Sequence, residues 1–202
     1  MRISKEQIVK AAIEILNRDG IDRLTTRELA KELDIKSASL YWHFKGKQEL
    51  YGAITEYLCA QMNLPEGSND AQEYLEKAFR AYRSILLTVR DSCKIFENAI
   101  PDTPKRIALI QNVLVKLLEI GVKKENLMTI SNMLNNYVLS FTADEMRFKN
   151  TPSETYQTFK DMLDPEKTLT FISQRDFDDQ FSYGLRVLFS GLKTTESEQG
   201  IR

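Results

Sequence analysis

Histidine, cysteine and glycine are scarce in this chain of 202 residues, which has one histidine, two cysteines and eight glycines. Hydrolytic, redox and metal-dependent enzymes usually assemble a histidine, a reactive thiol or a pair of carboxylates in a cleft. Cys59 and Cys93 form no CxxC pair, and His43 stands near neither of them in the sequence. We therefore expect no catalytic residues, no metal site and no cofactor, and we expect both thiols to be reduced and buried.

Long apolar runs are absent as well. No stretch approaches the roughly 18 uninterrupted apolar residues that a membrane span requires. The chain starts with an amphipathic pattern rather than with the apolar run of a signal peptide. We expect a cytoplasmic protein that does not contact a membrane.

Apolar residues recur at helical spacing, and most of the few glycines and prolines fall where a helical pattern stops. This predicts an all-α fold of about ten helices, without strands, repeats or low-complexity tracts. The clearest boundary is the segment from Pro65 to Asn69. Residues 153–174 are ambiguous, because Asp164 and Pro165 could cap a short helix while the stretch before them could be a loop.

Residues 24–51, LTTRELAKELDIKSASLYWHFKGKQELY, predict two short helices joined by a tight bend, followed by the start of a third helix. Thr25 and Glu28 have the spacing of a capping box, so the first helix is expected to begin at about Thr26. The second helix starts near Ser37, with Leu40 and Phe44 facing inward. This is the pattern of a helix-turn-helix, whose second helix enters the major groove of DNA.

The formal net charge of −1 is unevenly distributed. Residues 23–47 contain six basic and three acidic side chains. Such a local positive charge suits a surface that docks on DNA. A solvated helix face can carry the same charges, so the charge alone does not decide the function.

Several runs in the same region resemble the DNA-binding domain of the TetR family of bacterial transcriptional regulators, in particular its tetracycline-repressor branch. They are Gly20, the run LTTRELA that starts at Leu24, Ile35, and LYWHFK followed by Lys47, Glu49 and Leu50. The match covers about the first third of the chain. The resemblance implies a helix-turn-helix domain in residues 1–47, a connecting helix and linker in residues 48–69, and a regulatory domain for ligand binding and dimerisation in residues 70–195.

The resemblance also implies roles for individual residues at the DNA. A recognition helix from Ser37 to Phe44 would read base edges, and Arg27 on the preceding helix could pair with guanine. Trp42 could reach the groove or pack on the domain surface. Relatives often carry a small hydroxyl residue at the position of Lys36 to cap this helix, so the start of the helix could be shifted here. The implied base contacts are Arg27, Ser37, Ala38, Ser39 and Trp42, and the implied phosphate contacts are Thr26, Tyr41, His43 and Lys47.

A single helix-turn-helix reads few bases, so the resemblance implies a homodimer on a palindromic operator. Two long predicted helices, Lys124–Phe148 and Arg175–Leu192, would form a four-helix bundle with their symmetry mates. Gly184 and Gly191 would permit close approach of the two copies. The apolar faces of both helices could also pack in the core of their own chain.

The resemblance implies a transcriptional regulator, most simply a repressor that a small-molecule effector releases from its operator. Magnesium-bound tetracycline is not the expected effector, because that branch holds the drug partly through histidine in its C-terminal domain, whereas His43 lies in the DNA-binding motif. The alternative is a DNA-binding structural or nucleoid-associated protein without an effector. The candidate effector pocket, whose aromatic residues could equally be core, contains Phe79, Tyr82, Phe96, Asn112, Asn135, Tyr137, Phe141 and Glu145.

Overall fold

The computed structural model describes residues 3–65, 70–163, 166 and 176–198, without the side chains of residues 156 and 193–198. The described residues form ten α-helices and two 3-10 turns and contain no strand, which confirms the predicted all-α fold. The helices are α1 (Lys5–Asp19), α2 (Thr26–Glu32), α3 (Ser37–Leu40), α4 (Lys47–Ala60), α5 (Ala71–Leu87), α6 (Ser92–Asn98), α7 (Pro104–Glu119), α8 (Leu127–Asn150), α9 (Ser153–Leu163) and α10 (Phe177–Glu198).

The first two helices are started by side-chain caps. At α1 the Ser4 hydroxyl accepts from the Gln7 amide while the Gln7 side chain accepts from the Ser4 amide, which is a complete capping box. At α2 the Thr25 hydroxyl accepts from the Glu28 amide at 3.2 Å. The Thr25 amide, however, donates to the Arg23 carbonyl at 2.8 Å instead of to the Glu28 carboxylate. The capping box expected at Thr25 is therefore only half formed.

Several predicted boundaries shift by a few residues. The helix expected from residue 124 begins as a 3-10 turn, Lys124–Asn126, before α8 starts at Leu127. In the ambiguous stretch after residue 153, the structure has helix α9 up to Leu163. The remaining predictions in the 66–69, 164–165 and 167–175 segments, including the linker, the Asp164 cap and the start of the last helix at Arg175, lie outside the described residues.

One apolar core extends through both halves of the chain. Helix α4 contributes to it from the side of the predicted helix-turn-helix and packs against α1, α6 and α7. Helix α4 follows α3 after the turn at residues 41–46 and so links α3 to α6 and α7. The fully buried side chains at the centre of this core include Ile8, Ile15, Leu16, Ile54, Leu58, Leu75, Leu86, Ile95, Leu117, Leu134, Phe181 and Phe189.

Gly184 allows close packing within the chain, whereas its expected role in the approach of two copies stays a prediction. A Cβ at this position would lie 2.1 Å from Tyr137 Oη. The Tyr137 hydroxyl donates to the Phe181 carbonyl at 3.0 Å, so the ring of Tyr137 crosses directly over Gly184. Gly191 differs, because a Cβ there would meet no atom of another helix within 4 Å among the described residues.

No helix in the described ranges combines the length and apolar character needed to cross a bilayer. Within the same ranges, no cluster of three or more histidine, cysteine, aspartate or glutamate side chains is arranged to hold a metal ion. Cys59 and Cys93 are buried and unpaired, as expected. Burial raises the pKa of the Cys59 thiol to about 12 and that of the Cys93 thiol to about 11.

Candidate nucleic-acid interface and regulatory core

The turn that follows α3 presents aromatic side chains outward, with buried apolar side chains beneath it. Leu40 and Phe44 are buried beneath it, whereas the Trp42 side chain is 89% exposed and Tyr41 is 60% exposed. The amides of His43 and Phe44 both donate to the Leu40 carbonyl at 2.9 Å, which tightens the end of the helix into a turn. Trp42 therefore does not pack on its own domain. The regular part of the helix is shorter than the expected span from Ser37 to Phe44.

The start of α3 keeps the expected register. Lys36 occupies the N-cap position without a side-chain hydrogen bond, and its carbonyl accepts from the Ser39 amide at 2.8 Å. The helix therefore begins at Ser37 even though the usual hydroxyl cap is missing. Of the nine predicted DNA contacts, Ser39 and His43 are half-buried. The others are exposed on α2, on α3 and the turn after it, and in the first turn of α4, namely Thr26, Arg27, Ser37, Ala38, Tyr41, Trp42 and Lys47.

The turn between α3 and α4 is fixed by a residue that the sequence analysis did not assign. Glu49 Oε2 accepts a hydrogen bond from the Lys45 amide at 2.9 Å. Lys47 Nζ lies 5.3 Å above the Tyr51 ring, so its ammonium group is kept at the domain surface. The four-residue spacing from Lys45 to Glu49 was the only sequence signal for this contact.

Part of the predicted pocket forms one compact group between α5, α6 and α8. The ring centroids of Tyr82 and Phe96 are 5.3 Å apart, and the Tyr82 hydroxyl donates to Asn135 Oδ1 at 3.4 Å. Burial raises the pKa of Tyr82 well above its ordinary value, so its hydroxyl stays protonated and can donate. The Arg106 guanidinium of α7 lies 5.0 Å above the Phe96 ring and donates to the Phe96 and Ala99 carbonyls, both at 2.9 Å.

Three more of the predicted pocket residues, Tyr137, Phe141 and Glu145, form a second group around a buried ion pair. Arg83 Nε of α5 donates to Glu145 Oε2 of α8 at 2.7 Å, and the side chain of Glu145 is only 1% exposed. The Arg83 guanidinium also lies 5.1 Å above the Phe181 ring, which stacks on Tyr137. Glu145 was predicted as a pocket residue, whereas Arg83 was not predicted, although an arginine within the apolar stripe of α5 indicates a buried partner.

Within the second group, Phe141 packs against Phe181. Of the remaining pocket candidates, Phe79 is buried in the core and Asn112 is exposed on α7.

The Arg83 cluster continues to the surface. Arg83 Nη1 donates to Asp178 Oδ1 of α10 at 2.5 Å, and Lys149 Nζ donates to Glu145 Oε1 at 2.7 Å. Burial alone would raise the pKa of Glu145, but the hydrogen bonds from Arg83 and Lys149 outweigh it and hold the pKa below its ordinary value. Glu145 is thus an ionised partner that joins α5 to α8, and its carboxylate oxygens are already engaged.

Polar contacts connect the end of α1 and the turn after it to the corner between α5 and α6. The Ile21 amide donates to Asp91 Oδ2 at 2.9 Å, and the Arg90 amide donates to Asn17 Oδ1 at 2.9 Å. Gly20 makes this fit possible, since its φ is +83° and a Cβ would lie 3.1 Å from both Arg90 Nη2 and Asp91 Oδ2.

Two family profiles together match most of the chain. The profile described as "Bacterial regulatory proteins, tetR family" matches residues 8–54, and "Tetracyclin repressor-like, C-terminal domain" matches residues 64–196. The chain belongs to the TetR family. The first profile covers α1 to the middle of α4, and the second covers the helices that surround the Tyr82 and Arg83 groups.

Relatives and solved structures agree over nearly the full length. The chain is 27% identical over 197 residues to the class D tetracycline repressor of Escherichia coli, which covers 95% of this chain and 90% of that protein. ActR of Streptomyces coelicolor, solved with actinorhodin, has a TM-score of 0.85 at 23% identity and covers 97% of this chain and 99% of its own. BioQ, solved with its double-stranded DNA operator, has a TM-score of 0.69 at 26% identity, and the match covers 94% of this chain and 98% of the BioQ chain.

Family membership confirms the functional class predicted from the sequence. TetR-family proteins are DNA-binding transcriptional regulators rather than enzymes, and they act as dimers that respond to ligands. The chain is accordingly a ligand-responsive regulator with an N-terminal helix-turn-helix and a helical C-terminal domain.

Proposed function

We propose that this TetR-family chain acts in the cytoplasm as a homodimeric repressor whose two α3 helices read a palindromic operator. The observation that carries this proposal is the packing of α3 and the turn after it. Leu40 and Phe44 are buried and anchor this segment, whereas Tyr41 and Trp42 are exposed. An exposed indole on a basic surface has no stabilising role within its own chain, whereas a DNA groove offers it thymine methyl groups and sugar edges.

The basic and hydroxyl side chains around α3 divide into two proposed roles. Arg27 is exposed on α2 and can pair bidentately with guanine, while Ser37 and Ala38 contact neighbouring bases. Lys47 stands at the N-terminus of α4, where helix N–H groups also favour a phosphate. The full proposed sets are Arg27, Ser37, Ala38, Ser39 and Trp42 for bases, and Thr26, Tyr41, His43 and Lys47 for phosphates.

The proposed dimer face runs along α10. Tyr183 and Val187 are 53% and 51% exposed, and they are followed four residues later by Gly191, so that the three lie on one stripe of the helix. Half-exposed apolar side chains in such a row are typical of a surface that a second copy covers. The dimer must place its two α3 helices about 34–36 Å apart, one turn of DNA.

We propose that the effector is recognised beside Tyr82, Phe96 and Asn135. These residues combine two aromatic rings with an amide on facing helices, whereas the polar group of the second cluster, Glu145, is already held by Arg83 and Lys149. The pocket contains no histidine, since His43 is the only one in the chain. We therefore expect an effector with an aromatic or apolar body that does not depend on a histidine-bound metal.

Selection of operator duplexes with the full chain, followed by affinity measurements, tests the proposal. Trp42→Ala is expected to weaken operator binding by about tenfold or more, because it removes an exposed base contact without touching the core. Val115→Ala, which shortens an exposed side chain on α7, is the matched control and should bind like the wild type. Equal operator affinity of Trp42→Ala and the wild type would contradict the proposed role of α3.

A further inference from the structure

The N-terminus of α7 is capped by a different helix. Thr103 occupies its N-cap position in the extended conformation usual there, with φ −88° and ψ 148°, but its side chain makes no capping hydrogen bond. Instead, the Lys105 amide in the first turn donates to the Glu56 carboxylate of α4, at 3.1 Å to Oε1 and 2.8 Å to Oε2. A carboxylate from the DNA-binding side therefore replaces the local hydroxyl as the cap.

The Thr103 hydroxyl is held in an unsatisfied position. Among the buried side-chain oxygen and nitrogen atoms that the structure describes, Thr103 Oγ1 alone has no hydrogen-bond partner. The methyl group of the same side chain faces α4, with Cγ2 3.5 Å from the place that a Cβ on Gly52 would take. The Thr103 methyl group thus packs against α4 beside Gly52, while the hydroxyl makes no hydrogen bond to the amides of α7.

We propose that α7 has two alternative caps that exchange when α4 moves, namely Glu56 in the conformation described here and Thr103 in the other. Departure of α4 removes the Glu56 carboxylate and frees the Thr103 methyl from Gly52. Rotation about the Cα–Cβ bond of Thr103 then brings Oγ1 to the amide of Lys105 or Arg106, the usual donors to an N-cap. Neither conformation leaves the first turn of α7 uncapped, so α4 moves at little cost to α7.

This exchange lies between the two sites of the proposed function, on which the regulatory part of the inference rests. Arg106 adjoins Lys105 and stacks on Phe96, beside the proposed effector site. Glu56 is on α4, which begins directly after the turn that follows α3. An effector that displaces Phe96 or Arg106 disturbs the first turn of α7 and so biases the choice of cap. Glu56 acts as a positioning residue, since it touches neither DNA nor effector.

A double-mutant cycle in thermal stability tests the exchange without any ligand. Glu56→Ala alone should lower Tm little, because Thr103 takes over the cap. Thr103→Val alone should leave Tm unchanged or raise it, because a methyl group replaces an unsatisfied hydroxyl. The double variant should fall below the sum of the single changes by about 2–4 °C, the effect of losing one helix cap. Additive changes would overturn the proposal.

Amide exchange measured by NMR gives a site-resolved readout that a general loss of stability would not reproduce. Glu56→Ala should keep protection in the first turn of α7, at Lys105 or Arg106, whereas the Glu56→Ala/Thr103→Val variant should lose it there. The Ile107 amide, which donates to the Thr103 carbonyl at 2.9 Å, should remain protected in both. Loss of first-turn protection in Glu56→Ala itself would overturn the exchange.

Operator binding then tests the regulatory consequence separately. Glu56→Ala and Thr103→Val favour opposite conformations, so their operator affinities should differ from each other by about fivefold or more. Glu14→Ala, which removes an exposed glutamate from α1, is the control for the change in charge and should match the wild type. Equal affinities of the two variants would overturn the regulatory role of the cap exchange. A wild-type chain that binds no operator would instead contradict the proposed function, leaving the stability cycle as a valid test of the exchange.

Discussion

Arg83 and Glu145 join helices α5 and α8 through a hydrogen bond of 2.7 Å between Nε and Oε2, and both side chains are almost completely buried, at 8% and 1% exposure. The aromatic rings of Phe141 and Phe181 enclose the guanidinium. Breaking such a pair leaves a charge in a site with little water, which costs far more than breaking an exposed pair.

Replacing Glu145 with Gln should destabilise the protein by about 3 kcal/mol at neutral pH, the low end for a broken buried pair because Asp178 still contacts Arg83. The pKa of Glu145 is lowered in the folded chain, so its contribution is present above the unfolded pKa of about 4.3 and is lost as the pH falls through the folded pKa. Urea unfolding at several pH values should show the wild type and the variant converging below about pH 4.

Asp144→Asn is the matched control for Glu145→Gln. It removes a carboxylate of the same helix that is exposed and pairs with Arg147, so its effect should stay within about 0.5 kcal/mol at every pH. A Glu145→Gln variant that resembles this control would show that the Arg83 pair contributes no more than a surface contact.

Gly184→Ala should destabilise the chain by about 1–3 kcal/mol, because the added methyl group collides with the hydroxyl end of Tyr137. Tyr137→Phe should recover part of this loss in the double variant, since it removes the nearest atom. Gly52→Ala is the control: its Cβ would meet Thr103 at an ordinary 3.5 Å, and alanine favours a helix by up to about 1 kcal/mol. Thermal unfolding that ranks Gly184→Ala at or above Gly52→Ala would contradict the packing described here.

Arg27→Ala and Lys47→Gln should weaken operator binding in different ways. If Arg27 pairs with guanine, its removal costs about 1–3 kcal/mol and relaxes the preference at that base pair. If Lys47 contacts a phosphate, its removal weakens binding to all sequences and reduces the slope of log affinity against log salt by about one. Fluorescence anisotropy with base-substituted duplexes over a range of salt concentrations separates the two effects. A reduced salt slope without relaxed base preference for Arg27→Ala, or the opposite result for Lys47→Gln, would contradict the proposed roles.

Tetracycline with magnesium should produce no thermal shift. The resemblance to tetracycline repressors extends over most of the chain, yet no histidine is present outside the DNA-binding motif to help hold the metal-bound drug. Differential scanning fluorimetry at micromolar drug, with and without magnesium, checks this expectation. A stabilisation of several degrees that depends on magnesium would contradict it, because only a ligand of the folded state raises Tm in this way.

Local patterns in the sequence predicted the parts of the fold that depend on neighbours in the chain. Ser4 and Gln7 are three residues apart, and their capping box forms as expected. Thr25 and Glu28 have the same spacing, but the Arg23 carbonyl takes the amide that Glu28 would have bound. The outward position of Trp42 needed the structure as well, because the spacing of Leu40 and Phe44 alone left two orientations open.

Contacts between distant residues could not be read from the sequence. Arg83 and Glu145 are 62 positions apart, so nothing local distinguished a structural glutamate from a pocket residue. Gly184 was predicted to allow the approach of a symmetry mate, and its contact with Tyr137, 47 positions away, became visible only in the packed helices. The cap from Glu56 to Lys105 likewise joins positions that are 49 residues apart.

The central claim is that a symmetric particle presents two outward-facing α3 helices to one duplex. Sedimentation velocity of the full chain with a palindromic operator and with a single half-site tests it most directly, together with Val187→Glu, which places a charge on the proposed dimer face. We predict two chains bound per palindrome, much weaker binding to the half-site, and a monomeric Val187→Glu variant that loses operator affinity. A wild-type chain that is monomeric, or that binds the half-site as tightly as the palindrome, would contradict the account.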